Sequence, residues 1–378
     1  MNLLITAISS ATGPSGICRH AYNLARCAAD REEAPQITLA LGKWQELYFR
    51  NSFDLKALRA NIISVDVSND AFARNLWYLR ELPKLVDEVA ADIVHLSFPV
   101  PIRRSAIRCP VVLSLHDLYP YEEPNNFGFP KVFFNRIFLL QCLKEVDCIA
   151  CVSEITLSRL KIRLPRFAHR KSVVVHNSVT IGYSESVLPA GRRNKFALMV
   201  AQHRANKNIL LALEAFEELL RQKKIATQAS LLLVGNHGPE TAAITSFIKQ
   251  RSLEATVALI AGVSDGELRW LYANCEFLMA ASSLEGFGLS VAEGLFCGSR
   301  VVCSDIPAFR EVGGDACHYF DLHAKSGSSS IVDAICNALA EPVRPAKRLE
   351  RFLLENVARE YAAIYLQLRE DAAGMVGR

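Results

Sequence analysis

The chain has 378 residues, 51% of them hydrophobic, with 43 lysines and arginines against 39 aspartates and glutamates. That length gives room for two domains with full cores, and a net charge of +4 offers no bulk electrostatic case for nucleic acid. Eleven cysteines at scattered spacings in apolar surroundings argue against a disulfide framework and for reduced thiols in a cytosol. No apolar run is long and uncharged enough to span a bilayer, and the N-terminus lacks a charged leader and a cleavage site. A cytoplasmic protein is therefore expected.

The first predicted strand is 3–8, followed by the loop SSATGPSG and a helix over about 17–29. Short apolar runs at 37–41, 62–67, 93–96, 111–115, 148–152 and 173–175 read as further strands. Amphipathic stretches separate most of them, for example 75–90 and 131–145. Residues 182–194, polar with Gly and Pro, read as a linker. The pattern then repeats, with strands at 196–200, 231–234, 257–260, 277–281 and 301–303 and helices at 208–222 and 266–274. A helical tail follows over about 347–370. Strands alternating with helices predict an α/β fold of two doubly wound parallel-sheet, Rossmann-like domains. Two such sheets facing each other would line a cleft with strand carboxyl ends, a place for two substrates.

Chemistry-bearing residues recur where a predicted strand gives way to a helix. Gly13-Pro14-Ser15-Gly16 follows the first strand; its glycines let a backbone approach a phosphate, and the helix dipole favours an anion there. The loop is G-x-x-G and not G-x-G-x-x-G, so the dinucleotide fingerprint fails. An ordinary tight turn is the plain alternative. His116 and Asp117 follow strand 111–115; Asp117 either orients His116 or begins the next loop. In the loop HRANKN (203–208), Arg204 and Lys207 could stabilise negative charge that grows on a leaving group. Gly235 opens the turn GNHG after strand 231–234.

The densest constellation is SSLEGFGLSVAEGLFCGSRVV (282–302), with Glu285 and Glu293 in an E-x7-E spacing around Gly286 and Gly288. It reads as strand, glycine turn, helix, strand. With a helix start near Gly288, Glu293 lies one turn inside and Glu285 stays in the loop. The two carboxylates can then hold different parts of one extended ligand beside a helix N-terminus. Cys148 and Cys151 form a lone CxxC without the two further ligands a zinc site needs, and read as buried strand thiols. Arg159, Lys161, Arg163, Arg166, Arg170 and Lys171 interleave with apolar residues, and KVFFNRIFLL (131–140) could join them. This is either a solvated helix face over a core face or a surface for anionic lipid.

The run EGFGLSVAEGLFCGSRVVCSDIPAFREV resembles the donor-sugar motif of retaining GT-B glycosyltransferases, in particular glycosyltransferase family 4. GPSGICRHAYNLA looks like that family's N-terminal glycine loop, and LSLHDLYP like its VHD-type motif. The resemblance covers nearly the whole chain and is strongest over 257–312. It implies a GT-B fold with an acceptor-side domain at 1–183 and a donor-binding domain at 184–357. The last helix, about 358–378, would pack back on the first domain. Carried over residue by residue, Glu285, Phe287, Gly288 and Leu289 face the hexose and Glu293 grips the ribose. Gly13 and Gly16 lie over the donor phosphates, Gly235 beside the nucleotide, and His116 at the reaction centre. Lys207 and an arginine hold the diphosphate. The family arginine stands five residues before the lysine, where this chain has Gln202; Arg204 is taken as its substitute.

The implied chemistry is hexose transfer with retention, by front-face displacement, in which a leaving phosphate oxygen takes the acceptor's proton. It implies no cofactor and no metal, with a nucleotide-diphosphate sugar as co-substrate. HDLYP and HRANKN resemble bacterial mannosyltransferases, which favours GDP-mannose; a UDP-glucose-type donor stays open. The acceptor would be a saccharide or lipid-linked saccharide in lipopolysaccharide or exopolysaccharide synthesis. Residues 155–171 would supply a peripheral contact with the inner face of the plasma membrane. A nucleotide-sugar epimerase on the same fold and a non-enzymatic nucleotide-sugar binder are the alternatives.

Overall fold

The computed structural model describes residues 1–13, 15–29, 34–55, 58–124, 128, 130–168, 171–181, 185–188, 195–226, 228–324, 327–346 and 349–376. Pro14, Arg170 and most of the expected linker lie outside them. The chain divides into two compact units, 1–178 with 351–378, and 179–350.

The first unit is built on seven strands: β1 (Asn2–Thr6), β2 (Gln36–Gly42), β3 (Ala60–Val65), β4 (Ile93–Leu96), β5 (Val111–Leu115), β6 (Cys148–Cys151) and β7 (Lys171–Val174). They pair in parallel in the order β3-β2-β1-β4-β5-β6-β7. Helices cover both faces, so the strands are apolar almost throughout. Leu3, Ile5, Ile37 and Leu39 point into one layer, shared with helices Gly16–Ala29 and Leu354–Val376. Leu4, Val94, Leu96 and Leu113 point into the other, shared with helices Ala71–Arg80, Leu82–Glu88 and Lys131–Glu145.

Two details differ from the sequence expectation or sharpen it. The helix expected over 75–90 is two helices, Ala71–Arg80 and Leu82–Glu88. Pro83 has no N–H to continue the first and sits in the first turn of the second. Cys148 and Cys151 are buried in opposite layers, as residues three apart on a strand must be. One ion cannot take both, and burial raises their thiols to about 11 and about 12.

The second unit holds β8 (Phe196–Val200), β9 (Ser230–Val234), β10 (Val257–Ile260), β11 (Phe277–Ala280), β12 (Val301–Ser304) and β13 (Cys317–Phe320). All pair in parallel, in the order β10-β9-β8-β11-β12-β13. β13 was not expected from the sequence; its Cys-His-Tyr-Phe run pairs with β12 from Val301↔Cys317 to Ser304↔Phe320. Helices Ile209–Arg221, Thr241–Gln250 and Gly327–Ala340 pack on β8, β9 and β11 in one layer.

In each sheet the strand order reverses beside the first strand. β1 lies between β2 and β4, and β8 lies between β9 and β11. At such a switch point the crossovers leave in opposite directions, and a crevice opens at the strand carboxyl ends. The loops after β1 and β4 border it in the first unit, and those after β8 and β11 in the second. Among the described residues no helix is long and apolar enough to cross a membrane.

Candidate functional site

In the second unit, the chain leaves β8 through His203 and a short 3-10 turn, Ala205–Lys207, before helix Ile209–Arg221. Asn208 joins the two in left-handed backbone (φ 49°, ψ 42°), which asparagine tolerates. Its Nδ2 donates to Ala281 O at 2.8 Å. Asn206 Nδ2 donates to Leu284 O at 3.1 Å, and Ser283 N donates to Asn206 O at 2.9 Å. These bonds lace the loop after β8 to the loop after β11. The lacing brings Lys207 Nζ onto Glu285 Oε1 as a charge-assisted hydrogen bond. Ser282 Oγ donates to the same oxygen at 2.7 Å. The two charged side chains are 19% and 12% exposed, so bulk salt screens the pair little. Lys207 has three N–H donors, and Glu285 takes one. The guanidinium of Arg204 is half-buried nearby in sequence and has no protein partner among the described residues.

Glu293 sits in the second turn of helix Leu289–Phe296, 7% exposed, and accepts from Tyr272 Oη at 2.9 Å. Gly288 precedes that helix at φ 99°. A Cβ there would also meet the Phe309 ring at 2.8 Å. Phe287 and Gly288 are buried and Leu289 is half-buried along the rim of the helix N-terminus, where the first turn's amides have no partners within the helix. Gly235 passes so close to β8's exit that a Cβ would lie 1.9 Å from Ala201 O. His203 is buried behind this turn; its Nδ1 bonds to Thr241 Oγ1 at 2.9 Å, and its ring stacks on His237.

In the first unit, Ser15 Oγ accepts from Cys18 N at 3.3 Å at the start of helix Gly16–Ala29. Gly13 and Gly16 have no left-handed φ, and a Cβ on either would meet nothing within 4 Å. Nothing among the described residues demands glycine at these two positions, and the space beside them is open. At the end of β5, His116 Nε2–H donates to Ser97 O at 2.9 Å. A carbonyl only accepts, so this bond fixes the tautomer and leaves Nδ1 as an acceptor. Burial lowers the ring's pKa, which keeps it neutral near pH 7. Asp117 Oδ1 accepts from Tyr119 N at 2.9 Å; its carboxylate begins the following loop. His20, from helix Gly16–Ala29, stands edge-on to His116 with ring centroids 4.5 Å apart. The sequence reading did not single out His20.

The basic segment divides between structure and surface. Arg159 pairs with Glu122 at 3.5 Å, Leu160 is buried, and Lys171 pairs with Asp371 at 3.7 Å. Lys161, Ile162, Arg163 and Arg166 are exposed, as are Phe133, Phe134 and Ile137 on helix Lys131–Glu145.

Two family models match in tandem, Glycosyltransferase Family 4 over residues 14–182 and glycosyl transferases group 1 over 185–352. The chain is a glycosyltransferase of the GT-B fold. O-antigen chain mannosyltransferase RfbU of Salmonella typhimurium is 25% identical over 80% of this glycosyltransferase and 82% of its own length. O-antigen chain mannosyltransferase B of Escherichia coli is 26% identical over 54% of the chain, which spans 55% of that relative's length. The structure of Anabaena HepE in complex with UDP and glucose aligns at a TM-score of 0.64 with 16% identity, covering 100% of this chain and 99% of that one. The two-domain α/β fold expected from the sequence is thus the fold of the glycosyltransferase. Sequence reasoning missed the residues behind His116. His20, His95 and Ser114 come from separate elements, and only the strand order brings them together.

Proposed function

We propose that this glycosyltransferase moves a hexose, with retention, from a nucleotide-diphosphate sugar to a saccharide or lipid-linked saccharide in surface-polysaccharide synthesis, as family 4 enzymes do. Mannose from GDP-mannose is the favoured donor. The observation that carries the reading is the Lys207–Glu285 pair, held across two loops at the topological switch point of the second sheet. It sets a cation for phosphate beside a carboxylate for sugar hydroxyls. The two O-antigen mannosyltransferases support mannose, and HepE with UDP and glucose supports a nucleotide-sugar donor.

In this reading Glu293 holds the ribose, Glu285 and the rim at Phe287, Gly288 and Leu289 hold the hexose, and Gly235 lets the nucleotide lie close. Lys207 and Arg204 stabilise charge growing on the diphosphate. Gly13 and Gly16 leave room for the phosphates, and His116 Nδ1 accepts from a sugar hydroxyl. The acceptor oxygen bonds to the anomeric carbon on the face the diphosphate leaves. The C–O bond electrons go to the departing phosphate oxygen, which takes the acceptor's proton. Protein cations do this work, so neither metal nor cofactor enters.

The test is thermal stabilisation by GDP, UDP and GDP-mannose on wild type and Glu293→Ala, since a ligand of the native state raises the midpoint. Stabilisation by GDP and GDP-mannose that Glu293→Ala loses supports the assignment; stabilisation by UDP alone moves the donor to the UDP-glucose type. An unchanged response in Glu293→Ala rejects the ribose site. Incubation of the donor without acceptor separates an epimerase, which alters the sugar, and a mere binder turns over nothing with any acceptor. The exposed Lys161, Ile162, Arg163 and Arg166, with Phe133 and Phe134, further propose a peripheral contact with anionic lipid. Co-sedimentation with anionic but not neutral vesicles is the expected result, and equal sedimentation with both rejects it.

A further inference from the structure

The layer between the first sheet and helices Gly16–Ala29 and Leu354–Val376 is built mainly of apolar side chains, and a chain of buried polar side chains runs through it. His95 on β4 is fully buried, with Nδ1 2.6 Å from Tyr365 Oη and Nε2 2.8 Å from Ser114 Oγ. Ser114 on β5 is also fully buried, and its Oγ lies 2.8 Å from Nε2 of His20. Tyr361 flanks the chain at 3.5 Å from Ser114 Oγ. The chain thus runs from the last helix, through two strands, to the ring that faces His116 at 4.5 Å between centroids. Polar groups are costly to bury, and such a chain persists only when each proton has an acceptor.

That condition decides its direction. Were His95 Nδ1 to donate to Tyr365, the phenol proton would need a second acceptor, and none is within hydrogen-bond reach among the described residues. The Tyr365 O–H therefore donates to His95 Nδ1, and His95 carries its proton on Nε2 and donates to Ser114 Oγ. The Ser114 O–H then donates to His20 Nε2, so His20 is protonated on Nδ1. Asn177 Oδ1 is buried and makes no hydrogen bond in this structure; its side chain interacts with His20, and it can accept that proton. The reverse direction would leave the phenol O–H orphaned instead, at a cost of about 1–3 kcal/mol for a buried unsatisfied group.

We propose that Tyr365, on the last helix, is a positioning residue that acts through His95 and Ser114 to hold His20 beside His116 as its Nδ1–H tautomer. His20 in turn packs against the ring that offers its Nδ1 to substrate, a role that rests on the function proposed above. The last helix therefore does more than close the core. It sets the proton pattern behind the reaction centre from the far end of the chain.

The experiment is proton–nitrogen correlation NMR of histidine side chains in wild type and Tyr365→Phe, with sugar-transfer kinetics on both. The wild type should show His95 as the Nε2–H form and His20 as the Nδ1–H form. Tyr365→Phe removes one oxygen and keeps the ring, and should mix or invert both tautomers. Its kcat should fall at least about 10-fold while KM for the nucleotide sugar holds, because the donor residues of the second unit are untouched. Tyr361→Phe, which loses only the long contact, should keep the wild-type tautomers. A wild-type His95 protonated on Nδ1 overturns the proposal, and so do unchanged tautomers or an unchanged kcat in Tyr365→Phe. Failure of the transferase reading is a different result: a wild type that transfers no sugar, whatever its tautomers.

Discussion

Breaking the Lys207–Glu285 pair from its two ends should have unequal consequences. Removing Lys207 takes the cation from a mostly buried carboxylate, on which Ser282 Oγ still donates at 2.7 Å. Removing Glu285 leaves an ammonium on a long flexible stem, which can turn toward water. Lys207→Ala should therefore cost about 1–3 kcal/mol of stability, and Glu285→Ala less. Activity should show a different pattern. In the proposed mechanism Lys207 meets the departing diphosphate, and such a cation stabilises the transition state more than the bound donor, so Lys207→Ala should lower kcat about 100-fold or more. Urea unfolding and initial rates on both variants and on the double variant check this. If the double variant regains stability and also regains turnover, the pair is a structural staple and not a site.

At the scale of elements, the glycines separate into those the fold requires and those it leaves open. Gly288→Ala sets a Cβ in left-handed backbone and against the Phe309 ring. Gly235→Ala drives a methyl into Ala201 O, a backbone atom that cannot swing aside. Each should cost about 1–3 kcal/mol. Gly13→Ala and Gly16→Ala meet nothing, so their melting points should stay close to wild type. If phosphates pass over that loop, donor affinity or kcat should fall nonetheless. Thermal melts beside donor titrations check both halves, and full activity in both N-terminal variants removes the loop from the site. The same elements show what the sequence made legible. Parallel strands covered on both faces become runs such as VVLSL and FALMV, and a loop directly after such a run is placed at a strand end by chain order alone. That is how Lys207, Glu285 and His116 could be singled out. β13 escaped because Cys-His-Tyr-Phe lacks the branched aliphatic run, and helix Gly327–Ala340 because it opens on glycine and three serines. His20, His95, Ser114 and Tyr365 escaped for another reason. Each looks ordinary in its own element, and their meeting depends on strand order and on which layer the last helix joins.

On the scale of the whole molecule, the chain leaves the first unit after residue 178, builds the second, and returns at 351 to complete the first. The return is a core contribution. Leu354, Val357, Ala358, Tyr361, Tyr365 and Leu368 are buried in the layer that also holds Leu3, Ile5 and Ile37. Burying a large apolar side chain is worth about 1.5–3 kcal/mol, so losing this row would remove an amount comparable with the roughly 5–15 kcal/mol that keeps a whole domain folded. A chain ending at Glu350 should therefore lose the first unit while the second, which owns Lys207, Glu285 and Glu293, stays folded. Hydrogen exchange should show protection lost in β1, β4 and β5 and kept in β8, β11 and β12. On the proposed assignment, nucleotide binding should survive in the shortened chain and sugar transfer should disappear, because His116 and the loop at Gly13 and Gly16 belong to the unit that unfolds. If the first unit keeps its protection without the helix, the row is peripheral packing. If nucleotide binding is lost with it, the donor residues of the second unit do not suffice by themselves.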